Sequence, residues 1–197
     1  MSASGISQPA GDGGGTSAFA RPYVISWNLT YRCNLACEHC YLDAGGRPAV
    51  ATPAFADRSE LDTAACLRVV DEIAAFAPDG LLILTGGEPL LRRDIVEIIR
   101  HAAARELWVV VGTNGIKITE NLAAILKREG VRGLSLSLDA LDETRHDAFR
   151  RVTGAFRNTV EGAKILDRAG LPFIGQTTVG RHNVRELEAI ADFSHGE

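Results

Sequence analysis

The sequence lacks the features that mark several large classes of protein. It has no apolar run near the roughly 18 residues of a membrane-spanning helix. Its N-terminus has neither the basic start nor the apolar centre of a secretory signal. With a net charge of -4 at pH 7 it has no excess of positive charge for nucleic acid or an anionic membrane. These absences predict a protein that binds neither nucleic acid nor membrane.

Cysteine is scarce and unevenly placed. The chain has four cysteines: Cys33, Cys37 and Cys40 fall within eight residues, Cys66 lies apart, and none follows it. This pattern does not resemble a secreted disulfide framework, so we predict a reducing, cytoplasmic location. Cys66 belongs to an apolar helical stripe, which predicts a small core residue rather than a ligand.

Composition divides the chain into a tail and a core. Residues 1–18 are rich in glycine and serine, which predicts a disordered tail. Residues 19–197 are predicted to form one domain, because a chain with 46% hydrophobic residues can bury a sizeable core. Within that domain, residues 47–58 contain two prolines and many small residues, which predicts an irregular connection.

Short apolar segments alternate with amphipathic ones through the core. Strands are predicted at residues 23–29, 81–84, 108–111, 132–138 and 172–179. Helices are predicted from an Asp62 cap to about residue 77, at 94–105, from a Thr119 cap to residue 130, through residue 149, and at about 157–169 and 183–193. This α/β alternation predicts a parallel sheet with right-handed crossovers. Pleat alternation predicts an apolar interior that contains Leu82, Leu84, Val110, Leu136 and Ile174.

The polar and glycine-rich segments all follow strands. They are the cysteine loop and residues 85–89, 113–115, 137–139 and 177–183. Because parallel strands have their carboxyl ends at one edge of a sheet, these segments are predicted to form one site.

Three closely spaced thiolates can hold three irons of a [4Fe–4S] cluster and leave the fourth iron open. A Cys3His zinc site that includes His39 is the alternative, although zinc ligands usually come in two separated pairs. Gly86 and Gly87 permit close approach of the backbone to a ligand. The Glu88 carboxylate suits an ammonium group, while a plain turn would account for the glycines alone.

The run Cys33-x3-Cys37-x2-Cys40-Tyr41, followed by residues 86–89 (GGEP), resembles the radical S-adenosylmethionine superfamily. The resemblance covers residues 23–193. It implies a partial TIM-type (βα) barrel with about five of the usual six βα units. It also implies a [4Fe–4S] cluster with S-adenosylmethionine bound at the open iron.

The same resemblance implies roles for individual residues. The iron ligands would be Cys33, Cys37 and Cys40, with Tyr41 near the adenine. Contacts to the methionine amino group would come from Gly86, Gly87 and Glu88. Contacts to the ribose or carboxylate would come from Ser137, Asp139, Thr178 and Arg181, and Asn114 would join the cofactor site. Ser137 and Thr178 have ordinary strand roles as the alternative, and Asn114 a left-handed turn.

The implied reaction is reductive cleavage of S-adenosylmethionine to a 5′-deoxyadenosyl radical that abstracts hydrogen from a substrate. Short motifs such as residues 25–30 and 39–44 look most like enzymes acting on haem or haem d1 precursors, which predicts a tetrapyrrole substrate. A peptide-modifying maturase is the second reading. A non-catalytic iron–sulfur or zinc-binding module is the rival of another class. The implied electron donor is a flavodoxin or ferredoxin.

Two further expectations concern the last strand–helix unit and a group of arginines. The chain stops after the fifth unit, which predicts a truncated core domain or a second chain that completes the barrel. The basic residues Arg145, Arg150 and Arg151 are interspersed with acidic ones, which predicts a solvated helix face. Contact with the carboxylates of a tetrapyrrole is the alternative for these arginines.

Overall fold

The computed structural model describes residues 23–42, 44 and 60–195. The predicted tail at 1–18 and the predicted connection at 47–58 lie outside these residues. In the part of the chain that is described, no helix has both the length and the apolar character to cross a membrane.

The described residues contain five parallel strands, which form one sheet in the order of the sequence. They are β1 (Val24–Asn28), β2 (Leu81–Thr85), β3 (Trp108–Thr113), β4 (Gly133–Ser137) and β5 (Phe173–Gln176). Within the described residues β1 and β5 are the two edges, and each pairs with one neighbour. The predicted α/β class and its five strand–helix units are therefore confirmed.

In the described residues, six α-helices connect or follow the strands. They are α1 (Thr63–Phe76), α2 (Ile95–Ala103), α3 (Glu120–Arg128), α4 (Glu143–Arg150), α5 (Ala155–Ala169) and α6 (Leu187–His195). The predicted caps of α1 and α3 are confirmed: Asp62 accepts from the amide of Ala65 at 2.7 Å, and Thr119 from that of Leu122 at 3.2 Å. Such caps satisfy amide groups that the first helical turn leaves without partners.

The core lies between the sheet and its helices. Leu82 and Leu84 pair in register with Val109 and Val111, and all four are fully buried in one cluster with residues of α1, α2, α3 and α5. The prediction that Leu82, Leu84 and Leu136 line the barrel interior is therefore wrong, because the pleat turns them towards the helices. We call this the helix-facing side of the sheet.

The opposite face of the sheet, which we call the open side, is less apolar than predicted. Its residues alternate with those of the core cluster: Ile83, Val110, Gly112, Ser135, Ser137 and Gln176. Ile174, predicted as interior, lies on this side at the β5 edge and is 66% exposed. The polar residues concentrate at the carboxyl ends of the strands, where the candidate site lies.

The last unit departs most from the predicted boundaries. β5 ends at Gln176, and α6 begins at Leu187 rather than at Asn183. The Asn183 amide donates to the carbonyls of Asp139 and Thr178, both at 2.9 Å, and its oxygen accepts from the Gly180 amide. The side chain of Asn183 therefore holds the preceding loop together and does not cap the helix.

Candidate functional site

A cavity of about 300 Å³ lies at the carboxyl ends of the strands. Its lining consists of Cys33, Leu35, Cys37, His39, Cys40, Tyr41, Leu42, Ala44, Thr85, Gly86, Gly87, Gly112, Thr113, Asn114, Ser137, Arg150, Gln176 and Thr178. The topology thus brings together most of the residues that the sequence nominated, and Glu88, Asp139 and Arg181 are the exceptions. A larger cavity, of about 900 Å³, lies between α5, β5 and α6 and has none of the cysteines in its lining.

The cysteine loop rests on a small apolar cluster of its own. Leu35 and Cys37 are buried there with Ala155 at the start of α5, and Cys33 and Cys40 pack against them. Burial raises the pKa of the Cys33 thiol to about 11 and also raises that of Cys37. These thiols therefore keep their protons at neutral pH.

The C-terminal end of α4 holds the cysteine loop in place. The carbonyl of Phe149 accepts from the Glu38 amide at 2.9 Å, and its ring stacks on that of His39 with centroids 4.6 Å apart. The Arg150 carbonyl accepts from the Ala36 amide at 3.4 Å. A helix end with free carbonyls can accept such bonds because its last turn has no partners within the helix.

Arg150 is not on a solvated face. It is 6% exposed, and its Nη1 donates to Cys37 Sγ at 3.5 Å. Its Nε donates to Asp139 Oδ2 at 2.6 Å, and Nη2 pairs with the same oxygen. The predicted solvation of this arginine is therefore wrong. Its nearest sequence neighbours gave no sign of burial, since the partners lie 11 and 113 residues away.

Gly86 and Gly87 allow two backbone segments to lie in direct contact. The Gly87 amide donates to the Thr30 carbonyl at 2.6 Å, and the Glu88 amide to the Arg32 carbonyl at 2.8 Å. A Cβ on Gly87 would overlap the Arg32 carbonyl oxygen, and Gly86 has φ +136°. Glycine is thus required for the turn to lie directly against the chain entering the cysteine loop.

Glu88 lies beneath the cavity rather than in its lining. The side chain is fully buried, and its carboxylate accepts from the Leu90 amide at 3.0 Å, the Thr113 hydroxyl at 2.9 Å and the Asn114 amide at 2.9 Å. Burial raises the pKa of this carboxyl, and the donated hydrogen bonds oppose the shift. Its contact with a methionine amino group remains a prediction, while its bonds tie the β2 turn to the β3 turn.

Asp139 is likewise fully buried, and both of its carboxylate oxygens already have hydrogen-bond partners. Its Oδ1 accepts from the Thr178 amide at 2.8 Å, and Oδ2 takes the Arg150 guanidinium. Its predicted contact with the cofactor remains a prediction, as does that of Arg181, which is exposed and outside the cavity lining.

Asn114 bridges the β3 turn to the cysteine loop. Its Nδ2 donates to Asn34 Oδ1 at 2.9 Å and lies 3.9 Å from Cys33 Sγ. Its Oδ1 accepts from the Ile116 amide at 3.0 Å, and Gly115 takes the positive φ of the turn. The left-handed conformation of this turn is therefore adopted by Gly115 and not by Asn114.

Sequence reasoning did not nominate Gly112 or Gln176 for the cavity. Gln176 pairs in register with Ser137, and its Oε1 accepts from the Ser135 hydroxyl at 2.5 Å. Their place in the cavity could have been predicted from the alternation of side chains along a strand. Once the register between strands is known, this alternation gives the open-side positions nearest the carboxyl ends.

We expect Glu88→Gln to lower the free energy of unfolding by about 1–3 kcal/mol, since one buried amide would lose its acceptor. A glutamine has one oxygen, whereas Leu90 and Asn114 bond to different oxygens of Glu88. Urea unfolding of the metal-free chain measures the change. Glu72→Gln on the exposed side of α1 is the matched control. Equal stability of the two variants would contradict the assigned role.

The donor set suits an iron–sulfur cluster. All four cysteines are free thiols, and three of them line one cavity. Two of these three sulfurs accept N–H groups, Cys33 from the Leu35 amide at 3.4 Å and Cys37 from Arg150, as ligands of such clusters commonly do. Among the described residues, no three His, Cys, Asp or Glu side chains are arranged around one metal ion. Each thiolate of a [4Fe–4S] cluster binds a different iron, so these three need not converge.

Comparison with known proteins gives a consistent result. The profile described as Radical SAM superfamily matches residues 27–194. The AdoMet-dependent heme synthase of Methanosarcina barkeri is 39% identical over 166 residues, which are 84% of this chain and 45% of that protein. The mycofactocin maturase MftC of Mycobacterium tuberculosis is 33% identical over 171 residues, 86% of this chain and 41% of that protein.

Among solved structures, Streptococcus suis SuiB bound to S-adenosylmethionine superposes with a TM-score of 0.72 at 18% identity. The match covers 88% of this chain and 38% of that one, and it shows a shared fold. The chain thus spans less than half the length of these relatives.

Proposed function

The chain belongs to the radical SAM superfamily, and from this membership we propose that it cleaves S-adenosylmethionine reductively to start a radical reaction on a substrate. The cofactors of the superfamily are a [4Fe–4S] cluster and S-adenosylmethionine. One observation carries the proposal for this chain: Cys33, Cys37 and Cys40 line the same cavity as Gly86 and Gly87.

The residues present suit both cofactors. Cys33, Cys37 and Cys40 would hold three irons of the cluster through their thiolates, and the fourth iron would be open to the amino and carboxylate groups of S-adenosylmethionine. When bound, the cluster supplies the electron that splits the sulfonium into methionine and a 5′-deoxyadenosyl radical, which abstracts hydrogen from the substrate.

The other residues at the site bind S-adenosylmethionine and shield it. Gly86 and Gly87 bring backbone groups to the methionine end, where Glu88 fixes the turn from behind. Ser137 and Thr178 offer hydroxyl groups to the ribose or carboxylate, and Asn114 holds the Cys33 side of the loop. Tyr41 is 81% exposed at the rim, where it can cover the adenine.

We propose a tetrapyrrole, a haem or haem d1 precursor, as the substrate. The support is the 39% identity with a protein named heme synthase. A peptide is the second candidate, supported by the 33% identity with a protein named mycofactocin maturase. A flavodoxin or ferredoxin would supply electrons, in the cytoplasm, where buried thiols stay reduced. A second chain would complete the barrel by pairing a strand with β5.

Anaerobic reconstitution with iron and sulfide tests the proposal. We expect about four irons per chain, as one [4Fe–4S] cluster requires, and 5′-deoxyadenosine after dithionite and S-adenosylmethionine are added. Bound zinc, or a cluster without cleavage, would overturn the proposal in favour of a non-catalytic module. Deuterium transfer into 5′-deoxyadenosine from a labelled carboxylate-bearing porphyrin, compared with a labelled peptide, separates the two substrates.

A further inference from the structure

Arg150 places a positive charge directly on one of the cluster-binding cysteines. Its guanidinium donates to Cys37 Sγ at 3.5 Å, and the residue as a whole is 6% exposed. No water shell screens a charge in such a position, so its effect on a nearby redox centre is much larger than at the surface.

The charge is held there by a buried partner. Asp139 Oδ2 takes both Nε and Nη2 of Arg150, and Asp139 Oδ1 is fixed by the Thr178 amide at 2.8 Å. These bonds leave Nη1 as the nitrogen that meets the sulfur. The carboxylate bonds the Nε and Nη2 atoms of the guanidinium, and the third nitrogen of this cation contacts the Cys37 sulfur.

We propose that Arg150 is a positioning residue that raises the one-electron reduction potential of the cluster, and that Asp139 limits this effect. The inference rests on the proposed function, since it requires a cluster on Cys37. A reduced cluster carries one more negative charge than an oxidised one. A fixed positive charge and an N–H···S bond therefore stabilise the reduced form. Removing Arg150 disfavours reduction, whereas removing the Asp139 charge favours it.

Potentiometric titration of reconstituted chains, followed by electron paramagnetic resonance, tests the inference without measuring turnover. For Arg150→Gln we expect the reduction equilibrium to fall by about tenfold, a potential lower by about 59 mV. For Asp139→Asn we expect a potential above that of the wild type. Arg151→Gln is the matched control, because it removes the same charge one residue along from an exposed position, and its potential should equal that of the wild type.

Buried unpaired charges can prevent folding, so the double variant Arg150→Gln/Asp139→Asn is included. It removes the pair together and is expected to shift the potential downwards by less than Arg150→Gln alone. Opposite shifts in the two single variants, or the downward shift of the double variant, support the inference. If loaded variants share the potential of Arg151→Gln, or if the double variant shifts upwards, the inference is wrong while the proposed function stands. A wild-type chain that takes up no cluster refutes the proposed function instead.

Discussion

A Cys37→Ala chain is expected to lose its cluster and, with it, cleavage of S-adenosylmethionine. Cys37 is buried in the loop cluster, and Cys66, the one cysteine outside the loop, lies in the main core and cannot replace it. Mutation of a residue that hydrogen-bonds to a metal ligand already lowers metal affinity about 10- to 100-fold. Loss of the ligand itself should therefore lower the affinity at least about 100-fold. Iron content, absorbance of the reconstituted protein and 5′-deoxyadenosine formation measure the result.

Cys66→Ala is the control for this prediction. Cys66 is 1% exposed and packs with residues such as Val70 and Ile99, so its loss should lower stability by roughly 1 kcal/mol and leave the cluster intact. Cleavage that survives in Cys37→Ala would show that the ligand assignment is wrong. Loss of the cluster from a folded Cys66→Ala chain would point to the same conclusion.

Gly87→Ala is expected to destabilise the chain by about 3 kcal/mol, the upper end for overpacking, and to reduce cluster loading. The new Cβ would overlap the carbonyl oxygen of Arg32 and lie 2.8 Å from its carbon. A backbone carbonyl cannot rotate away as a side chain can, so the entry to the cysteine loop must shift. That shift also weakens the bonds of the Gly87 amide to Thr30 and the Glu88 amide to Arg32.

Gly175→Ala provides a matched control in the same sheet. Its new Cβ would approach the Ser194 hydroxyl at 3.0 Å, a side-chain atom that can turn away. Thermal unfolding of metal-free chains and iron content after reconstitution should separate the two variants. A Gly87→Ala chain with the stability and loading of Gly175→Ala would contradict the close approach of the two loops.

Sequence reasoning was most successful where the cause is local. Alternation of apolar segments and helix caps such as Asp62 and Thr119 depend on residues a few positions apart, and the five strand–helix units were predicted correctly. It failed on the face of the strands. Leu82 and Leu84 turn towards the helices, and nothing in a short buried strand distinguishes its two sides, because both are apolar.

The start of α6 shows a second kind of limit. Asn183 has the residue type of a helix cap, but its amide bonds to the carbonyl of Asp139, 44 residues away. A side chain can cap the nearest helix only when it is not hydrogen-bonded to a group elsewhere. Here the side chain bonds to the distant group, and the helix begins at Leu187.

The sequence by itself determined the order of the strand–helix units, the three-thiol loop and the edge of the sheet where its chemistry gathers. These follow from spacing and from the direction of parallel strands. Only the tertiary structure decided that Glu88 and Asp139 lie behind the cavity and that Arg150 contacts Cys37. Each of these charged groups finds partners far along the chain, at separations up to 113 residues, and a buried charge must be paired where the packing places it.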